Sequence, residues 1–256
     1  SSDLIEAALA FATRLFETDP VYAQANPFMR DRLKMLLQQP RSYLAHEYFN
    51  RDWHPMPFAR MAEWLAPAKL AYAGSAHYLD HVDAVNLSAE QQALLAGLPD
   101  GNFRQTVRDF MVNQQFRRDY WIKGPRRLNN WEQVEQLRAQ RVVLTTVRSS
   151  IKYTVNGTLG EAGLNEGVYL PFLELMADHR PRSLQQIEQE LLPRGLSSAQ
   201  ILQAVFVLIG KGDLAPAQDA KTIDKRVAVT TRFNFWLMNK AHGSKDIAYL
   251  ACPVTG

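Results

Sequence analysis

The first half of the chain repeats apolar residues every three or four positions, the spacing that places them on one face of an α-helix. This pattern predicts helices over residues 3–17, 27–39 and 57–65. A short strand is predicted within residues 70–79, and Ser88 followed by Gln91 then has the spacing of a capping box that begins another helix. We therefore expect residues 1–140 to form a mainly helical domain.

A basic, aromatic segment at residues 102–128 differs from the rest of this half. It carries seven cations and two acids, whereas the whole chain has a net charge of only +3. The cations are Arg104, Arg108, Arg117, Arg118, Lys123, Arg126 and Arg127. The pattern predicts one long helix from about Phe103 to the break at Gly124 and Pro125. Arginine and aromatic side chains dominate recognition surfaces, although a half-buried connector whose arginines pair with carboxylates elsewhere would have the same composition.

From Arg141 onward β-branched residues become frequent and predict short strands within residues 141–163. Three helical patterns follow at residues 168–180, 183–195 and 197–212. Residues 214–217 and 226–231 then predict the two strands of a wing. The predicted fold is mainly α within the α+β class: a helical domain at residues 1–140, then a short β segment joined to a winged-helix-like domain at residues 141–256.

The amino-acid composition excludes some classes of protein. With 46% hydrophobic and 21% charged residues it is ordinary for a globular chain. The single cysteine, Cys252, excludes an intramolecular disulfide and fits a reducing cytoplasm. No apolar run approaches the ~20 residues that span a bilayer. The sequence begins without a methionine or a basic leader, so we expect a cytoplasmic protein of which this chain is one part.

Two features could carry chemistry, and each lacks part of its signature. The glycines of residues 157–163 follow a strand pattern but lead into another turn, which favours a loop between strands over a cofactor-binding loop. His77 and His81 are one helical turn apart, but Tyr78 replaces the glutamate of a metalloprotease helix, which favours solvent-exposed histidines. The serine elbow of a hydrolase does not occur in the sequence. We predict no catalytic set and no metal site in this chain.

Two segments resemble a known family. These are SYLAHEYFNRDWHPMPFARMAEWL at residues 42–65 and FRRDYWIKGPRRL at residues 116–128. They resemble the methyltransferase regulatory domains that follow the catalytic domain in bacterial class I methyltransferases, relatives of the rickettsial-type protein-lysine methyltransferases. The resemblance implies a non-catalytic half that regulates a methyltransferase domain, in cis or in trans, or recognises its protein substrate. It also implies that S-adenosylmethionine binds outside this chain.

Within the resemblance, the matching positions of the basic segment are our candidates for binding. They are Arg117, Arg118, Tyr120, Trp121, Lys123, Arg126 and Arg127. The alternative is a stand-alone winged-helix adaptor that binds a protein or a nucleic acid. Its third helix offers no cation before Lys211, and the cations of the predicted wing, Lys221, Lys225 and Arg226, would contact a phosphate backbone without reading sequence. This pattern argues against sequence-specific nucleic-acid binding.

Overall fold

The structure is a computed structural model that describes residues 2–99, 101–243 and 247–256. It divides into two compact units, Ser1–Met56 and Pro57–Gly256. The helices of the first unit are α1 (Ser2–Glu17), α2 (Val21–Ala25), α3 (Phe28–Leu37) and α4 (Arg41–Glu47). Their small core joins Ile5 and Leu9 of α1 to Leu44 of α4. The helices predicted at residues 3–17 and 27–39 are therefore confirmed.

The second unit begins with a mixed region that ends near residue 140. In chain order it contains α5 (Phe58–Leu65), β1 (Leu70–Ser75), a 3-10 turn (Tyr78–His81), α6 (Asp83–Asn86), α7 (Ala89–Ala96), α8 (Asn102–Met111), β2 (Asp119–Lys123) and α9 (Asn130–Ala139). Strands β1 and β2 pair antiparallel. The capping box that Ser88 and Gln91 predict is present at the start of α7.

The rest of the second unit is a helical cluster with two small sheets. Its elements are β3 (Arg141–Leu144), β4 (Thr154–Gly157), β5 (Gly160–Gly163), α10 (Glu166–Leu175), β6 (Arg182–Ser183), α11 (Leu184–Leu191), α12 (Ser198–Lys211), β7 (Leu214–Ala217) and α13 (Ala220–Ala241). Strand β3 lies between β6 and β7, antiparallel to both. Strands β4 and β5 form a separate hairpin.

The main hydrophobic core lies around α10, α11 and α12. Phe172, Leu173 and Leu208 are fully buried there. The same cluster includes Leu79 and Val85, which come from the mixed region before residue 140. The core thus connects the β1–β2 region to the C-terminal helices, and the proposed division at residues 140 and 141 stays a prediction.

Two sequence predictions are wrong in this unit. The predicted helix at residues 103–124 ends at Met111, where Asn113 adopts a left-handed φ of 50° that asparagine tolerates, and the chain then forms β2. The predicted second wing strand, residues 226–231, lies inside α13. Asp219 begins that helix by accepting a hydrogen bond from the backbone nitrogen of Thr222 at 2.9 Å, which overrides the strand preference of the valines and threonines. Lys221, Lys225 and Arg226 therefore lie on a helix and not on a wing.

Other features match the sequence more closely. The capping boxes of α11 and α12 and the strand β7 are present as predicted. Helix α9 is not among the predicted helices, although Asn129 and Glu132 form the same kind of reciprocal cap as Ser88 and Gln91. Within the described residues, no helix is both long enough and apolar enough to cross a membrane.

Candidate functional site

The candidate site is built on the β1–β2 sheet. The strand register places Tyr72 directly opposite Trp121. Phe58, the first residue of α5, contacts both rings, with centroid distances of 4.9 Å to Tyr72 and 5.5 Å to Trp121. Aromatic rings at these separations stabilise one another beyond the area that they bury. The three rings therefore fix the small sheet against α5.

Arg117 forms the electrostatic centre of the site. Its Nη1 donates a hydrogen bond to Oδ1 of Asp109 at 2.5 Å, and its Nε donates to Oδ2 of Asp119 at 2.7 Å. Nη2 completes a bidentate contact with Oδ1 of Asp119 at 3.2 Å. The exposed fractions of these side chains are only 19% for Arg117, 16% for Asp109 and 8% for Asp119. One largely buried cation is thus held between two largely buried carboxylates.

The same guanidinium group connects the ion pairs to the aromatic cluster. Its carbon lies 4.4 Å from the centre of the Phe58 ring, and Nη2 donates to the hydroxyl of Tyr72 at 3.3 Å. Burial raises the pKa of Tyr72, although Arg117 opposes that shift. Burial would lower the pKa of Arg117, but Asp119 and Asp109 outweigh it and raise the pKa, so the guanidinium stays charged. Arg117 therefore orders the sheet from inside.

A cleft of about 690 Å³ opens beside the aromatic cluster. The rings of Phe58 and Trp121 line it together with apolar residues of α5 and β1. Its charged residues are Arg104, Arg108, Arg127, Asp80 and Asp83, and His81 also lines it. A cleft with aromatic rings and charges of both signs can bind a polar peptide segment through stacking and charge-assisted hydrogen bonds.

The two carboxylates that line the cleft, Asp80 and Asp83, lie in a segment that contacts α8. Nη2 of Arg108 donates to the backbone oxygen of Asp80 at 2.6 Å and approaches Oδ1 of Asp83 at 3.5 Å. Oδ2 of Asp80 also accepts a hydrogen bond from Oγ of Ser75 at 2.6 Å. These contacts hold the 3-10 turn against the end of β1.

The two histidines of this region face different partners. Nδ1 of His77 lies 3.1 Å from Oδ1 of Asp80, whereas Nε2 of His81 lies 2.8 Å from the backbone oxygen of Ser75. Both side chains are exposed, as the sequence predicts. Among the described residues, no group of three or more His, Cys, Asp or Glu side chains is placed to hold a metal ion.

The structure separates the seven candidate binding residues into several environments. Arg117 is internal, and Trp121 is half-buried in the aromatic cluster. Arg127 is exposed and lines the cleft, as Trp121 does. The side chains of the others, Arg118, Tyr120, Lys123 and Arg126, are exposed and do not line the cleft. The contribution of all seven to binding stays a prediction, but they do not form one surface.

The sequence carries only a weak signal, or none, for several contacts of the site. Arg126 pairs with Glu132, which also caps α9, so a local motif could have indicated that contact. Tyr72 and Phe58 contribute to the site through long-range packing, for which the sequence carries no local signal. Asp109 was seen only as one of two acids in a basic segment, although it is a principal partner of Arg117.

Part of this site is similar to a known family model. Residues 40–123 match the model of a predicted methyltransferase regulatory domain. An uncharacterized protein of Synechocystis sp. is 37% identical over 252 residues, which cover 98% of this chain and 50% of that protein. The chain therefore spans about half the length of this curated relative.

Two solved structures of PKMT2 from Rickettsia typhi are similar in fold. The complex with AdoHcy has a TM-score of 0.50 at 19% identity and covers 82% of this chain and 44% of that one. The other structure has a TM-score of 0.49 at 18% identity, over 74% of this chain and 41% of that one. At these identities the likeness concerns the fold alone. The segment that contains α5, β1, α8 and β2 lies within residues 40–123, which match the model of a predicted methyltransferase regulatory domain.

Proposed function

We propose that this chain is the regulatory or substrate-recognition region of an S-adenosylmethionine-dependent methyltransferase that acts on a protein. Methyl transfer is carried out by a catalytic domain outside this chain, in the same polypeptide or in a partner. The observation that carries the proposal is the family match over residues 40–123, which contains the Arg117 ion pairs and nearly all of the cleft lining. The length of the Synechocystis relative, of which this chain covers 50%, supports it.

The glycine-rich segment also supports a non-catalytic role. Class I methyltransferases bind their cofactor at a glycine-rich turn between a strand and a helix, where the backbone must approach the cofactor closely. In this chain Gly157 pairs with Gly160 across the β4–β5 hairpin, and Gly163 ends β5. The segment is a turn between two strands, which is a different use of glycine.

We assign substrate recognition to the cleft. Arg127 and Trp121 offer a cation and an aromatic ring, and Asp80 and Asp83 offer carboxylates on another part of the lining. A peptide with charged and apolar side chains can satisfy both sets. Arg117 acts as a positioning residue, because it holds the strand that carries Trp121.

The C-terminal helices are part of the same proposal. Helices α10, α11 and α12 with the β6–β3–β7 sheet form a winged-helix-like domain that lacks the second wing strand and packs internally or against protein. We propose that the protein is located in the cytoplasm. Nucleic-acid binding through a wing is disfavoured, because the cations predicted to lie on the wing are part of α13.

The first test is calorimetric titration of S-adenosylmethionine into this chain. We expect no heat and no thermal shift, because the cofactor site lies outside the chain. A ligand present at 100 times its Kd would stabilise the folded state by about 2.7 kcal/mol, so a micromolar site would be easy to detect. The positive control is the same titration with the native protein isolated from its source cells. Micromolar binding to the chain alone would contradict the proposal.

The second test examines the cleft with Arg127→Glu in the native protein. At low concentrations of a protein extract, the initial rate of methyl transfer should fall about tenfold, equivalent to about 1.4 kcal/mol of lost binding. The loss should shrink at saturating extract, because the substitution weakens binding without touching the chemistry. Arg194→Glu is the matched control, since Arg194 is also exposed but does not line the cleft. Equal rates in both variants would remove the cleft from substrate recognition.

A further inference from the structure

Helix α13 presents large apolar side chains to solvent between Val227 and Met238. It spans 22 residues, and none of them is buried. Phe233 is 49% exposed, Trp236 is 52% exposed and Val229 is 50% exposed. Monomeric proteins rarely leave a contiguous apolar surface of this kind uncovered, and such surfaces usually mark interaction sites.

Helical geometry collects these residues on one side. At about 100° per residue, Val229, Phe233 and Trp236 fall on a single ridge, three and four positions apart. The rings of Phe233 and Trp236 stack with centroids 6.0 Å apart, and Nζ of Lys240 lies 5.8 Å from the Trp236 ring centre. We call Val229, Phe233, Trp236 and Lys240 the α13 ridge.

The chain's own C-terminal segment covers a different side of the helix. The side chain of Asn234 donates to the backbone oxygen of Ala251 and accepts from its backbone nitrogen, both at 2.8 Å. On the helical wheel Asn234 lies more than 90° away from the α13 ridge. Among the described residues, the C-terminal segment contacts α13 at Asn234, whereas Phe233 and Trp236 of the ridge remain about half exposed.

Charge identifies the kind of partner that fits. Helix α13 contains Lys221, Lys225, Arg226, Arg232 and Lys240 against one acid, Asp224. Lys225, Arg226 and Arg232 flank the ridge on the helical wheel, and Asp224 lies well away from it. In the described part of the chain, none of these flanking cations forms an ion pair with a carboxylate. An apolar partner surface rimmed with carboxylates would satisfy both the rings and the charges.

A second copy of the chain fits this surface less well. Two α13 ridges brought together would place cation against cation, and like charges across an interface disfavour the complex. An anionic membrane could attract the cations, but nothing else in the described structure marks a membrane site.

We propose that the α13 ridge docks on an acidic, apolar-centred surface of the methyltransferase domain that completes the enzyme. This inference rests on the proposed function, which supplies that domain. Helix α13 follows β7, which is part of the C-terminal core. Docking of α13 would therefore connect this core to the catalytic domain. It assigns the contact with the catalytic domain to α13 and leaves the cleft free for substrate.

The test is zero-length carbodiimide cross-linking of the native protein from its source cells. The reagent joins a lysine amine to a carboxylate as an amide with loss of water, so it reports the predicted chemistry directly. We expect Lys225 and Lys240 to link to carboxylates in a region that carries the glycine-rich cofactor motif of a class I methyltransferase. Lys152, an exposed lysine outside α13, is the control and should give no such link.

Substitutions on the ridge make the assignment specific. Phe233→Ser with Trp236→Ser should lower these cross-links about tenfold, the scale expected for removing buried aromatic anchors. Arg226→Glu with Arg232→Glu, which keeps every lysine, should lower them as well by reversing the flanking charge. Trp131→Ser on α9 is the matched control, because Trp131 is 73% exposed and lies outside the ridge. Helical content measured by circular dichroism verifies that each variant folds.

Three outcomes would overturn the proposal. They are cross-links only between two copies of the chain, unchanged cross-links in both ridge variants, and absence of cross-links together with ridge-dependent binding to phosphatidylserine vesicles. A parallel assay of methyl transfer separates the two ideas. Transfer activity without α13 cross-links would refute the docking site and leave the proposed function standing, whereas α13 cross-links without transfer activity would refute the function.

Discussion

Replacing Arg117 with methionine is expected to lower the free energy of unfolding of the second unit by about 3–5 kcal/mol. Methionine retains much of the side-chain volume but leaves Asp109 and Asp119 without their shared cation. Both carboxylates are largely buried, at 16% and 8% exposure, so water cannot replace the lost hydrogen bonds. The substitution also removes the cation–π contact with Phe58.

The measurement is urea unfolding followed by tryptophan fluorescence and by circular dichroism. Arg118→Met is the matched control, since Arg118 is adjacent in sequence but exposed, and such surface changes stay within about 0.5 kcal/mol. Arg117→Lys keeps the charge but lacks the planar group that reaches Asp119 through two nitrogens. Its free energy of unfolding should therefore lie between those of the Arg117→Met and Arg118→Met variants. Equal stability of the Arg117 and Arg118 variants would mean that the network contributes little.

Arg117 and Arg118 also show where sequence reasoning reaches its limit. The sequence presents the seven cations of residues 102–128 as one group, because charge and composition do not encode burial. The chain turns at Asn113, where φ is 50°, and next to β2 successive side chains alternate between two faces, so Arg117 faces inward to Asp109 while Arg118 is exposed. Adjacent residues of one charge pattern thus take a structural and a surface role.

Local signals, by contrast, predicted their elements well. The capping boxes that begin with Ser88, Ser183 and Ser197 involve residues only three positions apart, and each is present. The wing prediction failed because strand preference in residues 226–231 has meaning only when a neighbouring strand is available. Strand β7 pairs with β3, which lies much earlier in the sequence, and not with residues 226–231. These residues instead lie in the helix that Asp219 begins.

The cleft is predicted from the sequence only in part. The family resemblance indicates two segments that contribute to it, with Phe58 from residues 42–65 and Trp121 and Arg127 from residues 116–128, but not how they meet. Pairing of β1 with β2 brings Trp121 to Tyr72, and α5 then adds Phe58. These contacts join residues far apart in sequence, so they follow from the tertiary fold.

Gly157→Ala is expected to destabilise the second unit by about 2–3 kcal/mol, the upper part of the range for overpacking. Gly157 ends β4, where the β4–β5 hairpin packs against α6. A Cβ at this position would overlap the carbonyl oxygen of Val85 and lie 2.7 Å from its carbonyl carbon. The same Val85 oxygen accepts a hydrogen bond from the backbone nitrogen of Leu159 at 3.3 Å, and Asn86 binds Thr158. A backbone neighbour held in this way cannot move aside easily.

Gly163→Ala is the matched control for this substitution. Gly163 ends the partner strand β5, has no positive φ, and a Cβ there would meet no atom within 4 Å. Both substitutions reduce the conformational entropy of the unfolded chain equally, which by itself would stabilise each variant by about 0.4–1 kcal/mol. The difference between their unfolding free energies in urea therefore isolates the contact with Val85. If the two variants were equally stable, the hairpin would not be held against α6, and the β1–β2 region would lose this link to the C-terminal core.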